Sequence, residues 1–112
     1  MKIYHNPRCR KSREALDLLQ NNGASPQIIE YLKEPLSQAE LASVITLLGI
    51  RPSELLRKGE AIYKEKFKGK ELSDDAWIEA MIEYPKLIER PIVVRENKAV
   101  LGRPPENVKE LL

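Results

Sequence analysis

The sequence predicts a small α/β protein running strand–helix–strand, then a helical middle, then strand–strand–helix. Three observations carry that prediction. Strand, helix and strand patterns follow one another between Lys2 and Tyr31. Helix caps and helical apolar spacing dominate from Ser37 to Pro85. A β-branched run, a tight turn and a second apolar run occupy Ile92 to Leu101.

Lys2-Ile3-Tyr4 opens as a strand that Pro7 breaks. Ala15, Leu16, Leu18 and Leu19 then form a stripe at helical spacing, and Gly23 stops that helix. Ile28-Ile29 with Tyr31 reads as the second strand, so the opening is a βαβ unit with a parallel pair. In the middle, Ser37 to Glu40 fits a capping box ahead of Leu41, Val44, Ile45 and Leu48, with Gly49 as the stop. Pro52-Ser53-Glu54 starts a short helix carrying Leu55, Leu56 and Arg57. Lys64 to Lys70 is expected as a solvated loop. Ser73 caps a helix with Trp77, Ile78, Met81 and Ile82 inward, ending before Pro85. Ile92-Val93-Val94 is a buried strand, Glu96-Asn97 a tight turn, and Ala99-Val100-Leu101 its hairpin partner. Pro104-Pro105 opens a last short helix with Val108 and Leu111.

At 112 residues the chain suits one domain, residues 1–112, with one core. The net charge of +2 is too small to imply nucleic acid or an anionic membrane, so any functional positive charge is local. No apolar run is long enough to span a membrane. A single cysteine excludes an internal disulfide and fits a reducing compartment, so the expected location is cytoplasmic.

That cysteine, Cys9, stands where the first strand gives way to the helix, among Arg8, Arg10, Lys11 and Arg13. Free amides and the helix dipole at such a junction favour the thiolate, and Arg10 and Arg13 can add to the effect. A core cysteine gains nothing from flanking arginines, which favours a nucleophile over a small buried hydrophobe. Ser12 lies three residues on, where its hydroxyl could donate to the sulfur. His5, the only histidine, is either a hydrogen-bonding neighbour of the thiol or a satisfied structural residue; both readings stay open. No second His or Cys exists to share a metal with it. The position that would complete C-x-x-C is Ser12, which excludes a dithiol cycle, and Ala15 stands where a C-x5-R phosphate loop needs arginine. A monothiol mechanism with an outside reductant survives. Arg57, Arg90 and Arg103 each lie at an element end, and guanidinium matches oxyanion geometry. Any one of them alone reads better as a surface ion pair or a solvated position, and the three act together only if the fold brings all of them to Cys9. For Arg90–Pro91 the local default is a trans bond.

In order, H-N-P-x-C-x-x-S-R, L-L-R-K, R-P-I-V-V and G-R-P-P-E resemble the glutathione/glutaredoxin-coupled arsenate reductase family over essentially the whole chain. The resemblance implies a thioredoxin-like fold: a mixed four-stranded sheet with a helical insertion between the βαβ and ββα halves. It implies that Cys9 is the nucleophile and that Arg57, Arg90 and Arg103 bind the oxyanion. His5, Ser12 and Arg13 are implied as supporting residues, and Pro91 as the cis-proline beside the site. No bound cofactor or metal is implied. Arsenate is the implied substrate, glutathione the co-substrate and glutaredoxin the partner. Arg10-Lys11 depart from the small residues that commonly follow this cysteine. The ending soon after Gly102-Arg103-Pro104 places the chain in a shorter subgroup. Two alternatives are a thiol oxidoreductase acting on another substrate and a non-enzymatic regulator resembling the Spx proteins, which bind RNA polymerase. The latter commonly carry C-x-x-C, which Ser12 interrupts.

Overall fold

Four strands form one mixed sheet in the computed structural model, which describes residues 1–112. They are β1 (Lys2–Tyr4), β2 (Gln27–Ile29), β3 (Ile92–Arg95) and β4 (Lys98–Leu101), in the order β2-β1-β3-β4. β1 pairs parallel with β2 and antiparallel with β3, and β3 pairs antiparallel with β4. The register sets Ile3 beside Val93 and Val93 beside Val100. Because side chains alternate along a strand, these three share one face. That face packs with α1 (Arg10–Asn21) and a C-terminal 3₁₀ helix (Pro105–Leu111) in a core of Ile3, Ala15, Leu19, Val93, Val108 and Leu111. Ile28 occupies the same row on edge strand β2 and stays exposed. The expected turn at Glu96-Asn97 is present, with Glu96 at φ 55°.

The chain divides into two compact units: Met1–Glu34 with Arg90–Leu112, which contains the sheet, and Pro35–Glu89, which is helical. The helical unit holds α2 (Gln38–Leu48), a 3₁₀ turn (Pro52–Leu55), α3 (Ala61–Lys66), α4 (Asp74–Glu83) and a second 3₁₀ turn (Pro85–Leu87). Ser37 Oγ accepts from the Glu40 amide and Ser73 Oγ from the Ala76 amide, so both predicted N-caps form. Gly49 ends α2 in the left-handed region, at φ 70°. α4 packs against α2 and both 3₁₀ turns through Trp77, Ile78 and Met81, whereas Ile82 is only half-buried.

Three expectations are corrected. Part of the Lys64–Lys70 loop is helical, since α3 runs to Lys66. The helix at Pro52 stops at Leu55, leaving Leu56 extended and Arg57 outside any helix. Tyr31 lies past the end of β2, in a turn, where it is nevertheless buried. No helix is long and apolar enough to cross a membrane.

Candidate active site

The loop between β1 and α1 is held on both sides. His5 N–H donates to Ile29 O at 2.8 Å, continuing the β1–β2 ladder by one residue. The chain then turns: Arg8 N–H donates to Asn6 Oδ1 at 3.0 Å and Cys9 N–H to Asn6 O at 3.0 Å. Asparagine suits such a turn because its side chain can replace a backbone acceptor. Cys9 is the N-cap residue of α1, with extended φ −91° and ψ 122°. Its side chain makes no capping bond, and the residue is half-buried.

Partial burial pushes the Cys9 thiol up. The Ser12 amide, the Arg90 guanidinium and the Lys11 amide, whose positive ends act on the sulfur, outweigh it, and the thiol is held below its ordinary value. The amides are the unpaired donors that begin any helix, here aimed at a group that becomes an anion. Burial disfavours the charge on Arg90. Cys9 and Tyr31 facing it more than offset that, and Arg90 is held above its usual value. Arg90 precedes Pro91, and the Arg90–Pro91 bond is cis, as the resemblance implies and against the local default. Arg103, whose following bond to Pro104 is also cis, donates from Nη1 to Arg90 O at 3.3 Å. Gly102 lets this segment approach: a Cβ there would lie 2.7 Å from Pro91 Cγ.

Ser12 is fully buried, and its hydroxyl is not on the sulfur. Oγ accepts from Asn6 N–H at 3.1 Å and lies 2.6 Å from His5 Nδ1. A hydroxyl with no solvent must donate somewhere, and Nδ1 is the acceptor beside it. Burial lowers the His5 pKa, with Glu30 opposing that change and Arg13 adding to it. Burial thus disfavours the charged form of His5, and the contact with Ser12 Oγ ties its ring into the loop. The expectation that Ser12's hydroxyl meets the thiol is corrected to its amide.

The neighbouring cations also go elsewhere. Arg10 Nε pairs with Glu14 Oε1 at 2.9 Å, and Arg13 Nη1 donates to Pro7 O at 3.0 Å. Neither is among the groups acting on Cys9. The structure thus brings Arg90 to Cys9 and Arg103 to the Arg90 carbonyl, and ties His5, Ser12 and Arg13 into the scaffold of the loop. Tyr31, which sequence reasoning read only as a strand residue, faces Arg90. No local signal marks a side chain that matters through a partner so distant in the chain.

Arg57 belongs to the helical unit. Its amide donates to Leu87 O at 2.7 Å, beside the isolated Leu56–Ile88 bridge. Its Nε lies 3.5 Å from Glu60 Oε1, yet Nε and Nη1 are buried without a hydrogen-bond partner. Unsatisfied guanidinium nitrogens are costly unless something binds them.

A thiol held low at a helix N-terminus, with a guanidinium beside it, has the thiolate character that nucleophilic chemistry needs. The ArsC family model matches residues 4–111. The uncharacterized protein YfgD of Escherichia coli (strain K12) is 49% identical, across 100% of this chain and 96% of that protein. An arsenate reductase of Haemophilus influenzae is 45% identical, across 98% of this chain and 97% of that protein. The solved structure of an arsenate reductase from Vibrio cholerae superposes with a TM-score of 0.95 at 51% identity, covering 99% and 96% of the two chains.

Proposed function

The chain belongs to the ArsC family, and on that premise we propose that it reduces arsenate to arsenite through Cys9, with glutathione and glutaredoxin supplying the electrons. The carrying observation is the Cys9 thiol held low by the Ser12 and Lys11 amides and by Arg90. Arg90 and Arg103 receive the oxyanion in this reading, offsetting its charge. For Arg57 the oxyanion-binding role rests on the resemblance alone.

The Cys9 thiolate attacks arsenic and displaces one oxygen as water, giving a thiol–arsenate adduct. The thiol of glutathione then attacks the Cys9 sulfur. The S–As bond breaks, its electron pair stays with arsenic, and arsenite leaves. Arsenic gains two electrons while two thiols become one mixed disulfide. A glutaredoxin thiol takes the glutathionyl group and frees Cys9. The chain has one cysteine, so the resolving thiols in this scheme are external.

The test is arsenate-dependent NADPH oxidation in the presence of glutathione, glutaredoxin and glutathione reductase. Turnover is expected for the native protein and none for Cys9→Ser. Residual turnover in the variant would remove Cys9 from the chemistry. No turnover in either would redirect the thiol to another substrate.

A further inference from the structure

The proposed reaction brings glutathione to the Cys9 sulfur, and beside the Cys9 loop the sheet-bearing unit has a cleft of about 260 Å³ that the arsenate reading leaves unused. Asn6 and Arg8 of the loop form one wall. Glu30, Leu32 and Lys33, just past β2, form the other, with His5 between. We propose that this cleft seats glutathione, an inference that rests on the reductase reading.

The lining matches a zwitterionic tripeptide charge for charge. Glutathione carries two carboxylates and one ammonium, a net charge of −1. Arg8 and Lys33 offer two cations and Glu30 one carboxylate. The cations are available. Lys33 is exposed and makes only a loose 3.7 Å pair with Glu30, a contact of little worth that a ligand readily replaces. Arg8 is exposed, and only its backbone amide is committed, to Asn6 Oδ1. Glu30 is the best-covered charge in the cleft, with a side chain 40% exposed. Leu32, one of three large apolar side chains left exposed in the chain, gives the peptide's methylene groups an apolar surface.

Position adds to composition. Arg8 precedes Cys9, and consecutive Cα atoms are about 3.8 Å apart, whereas an extended tripeptide spans about 10 Å. A tripeptide anchored on Arg8 therefore has the reach to bring its thiol to Cys9. At its size the cleft lies just below the usual range for ligand pockets. It holds the ends of the tripeptide and leaves the central cysteine free to react. Neither Arg90 nor Arg103 lines it, so adduct and reductant need not compete for the same cations.

The probe is S-methylglutathione, which cannot form a disulfide, titrated into ¹⁵N-labelled Cys9→Ser protein. Saturable shifts are expected at the amides of Asn6, Arg8, Glu30 and Lys33. Arg8→Glu and Lys33→Glu should each weaken binding about tenfold, the loss of one charge-assisted bond. Both should raise the KM for glutathione in turnover by a similar factor and leave the KM for arsenate unchanged. Shifts confined to other residues, or charge reversals that leave the glutathione KM unmoved, would overturn the assignment. If arsenate is not turned over but these four amides still shift, the cleft stands and the substrate falls.

Discussion

The Ser12 amide and then Arg90, rather than any cation adjacent in sequence, hold the Cys9 thiol low, and that difference is measurable. Burial opposes the thiolate; the Ser12 and Lys11 amides and the Arg90 guanidinium outweigh it. Arg90→Gln should move the midpoint of alkylation rate against pH upward, toward the ordinary thiol value of about 8.5. Arg10→Gln should leave it in place, because Arg10 is committed to Glu14 on the exposed helix surface. The folded value lies below the unfolded one. The native state therefore gives up this proton first as pH rises. The stability linked to Cys9 is fully present above about pH 8.5 and is lost as pH falls through the folded value. Ser12 makes a separate test. Its buried hydroxyl serves Asn6 N–H and His5 Nδ1, so Ser12→Ala leaves two buried groups without a partner and should cost about 1–3 kcal/mol by urea denaturation. The amide that faces the sulfur survives in alanine, so the thiol midpoint should not move. A normal stability with a raised midpoint would return the hydroxyl to the sulfur.

Among the elements, the end of the C-terminal hairpin packs closely on Pro91, on Ala15 of α1 and on Val108 of the final helix. Gly102 N–H donates to Pro91 O at 2.9 Å. A Cβ at Gly102 would meet Pro91 Cγ at 2.7 Å, Val108 Cγ1 at 3.2 Å and Ala15 Cβ at 3.3 Å. A proline ring, a β-branched side chain and an alanine have little freedom to give way. Gly102→Ala should therefore cost about 1–3 kcal/mol by overpacking, read as a lower urea midpoint at unchanged slope. An unchanged midpoint would mean that the hairpin end can shift. Elements with a chemical punctuation mark were legible in the sequence: Ser37 and Ser73 cap α2 and α4, and Gly49 ends α2. α3 was not legible, because Glu60 at its N-cap makes no side-chain cap bond and none of its residues is fully buried. Neither a cap nor an apolar stripe announces it. The final helix was legible as a helix but not as 3₁₀. Over so few residues, Pro105, Val108 and Leu111 satisfy either spacing.

For the molecule as a whole, the sequence allows the inference that positive charge is local, and the structure shows why the local ensemble was only half visible. With 19 cationic and 17 acidic side chains, the protein has no strong field of its own. The residues near Cys9 in sequence were the ones sequence reasoning could weigh. Of these, Arg10 and Arg13 are tied to Glu14 and Pro7. The effective guanidinium arrives from the far end of the chain because β3 pairs with β1, setting Ile92 against Tyr4 and carrying Arg90 to the cysteine loop. Capture of an oxyanion should then depend on contact rather than on long-range attraction. Screening shortens the reach of charge from about 10 Å at 0.1 M salt to about 3 Å at 1 M, and weakens contact pairs much less. Arsenate binding to Cys9→Ser protein, where no chemistry follows, should weaken only a few-fold as salt rises from about 0.05 to 0.5 M. Arg90→Gln should weaken it about tenfold or more at either salt, the loss of a charge-assisted bond worth about 1.5–3 kcal/mol. A steep fall with salt together with an indifferent Arg90 variant would show that the anion is gathered by the diffuse surface charge, and the guanidinium assignment would fail.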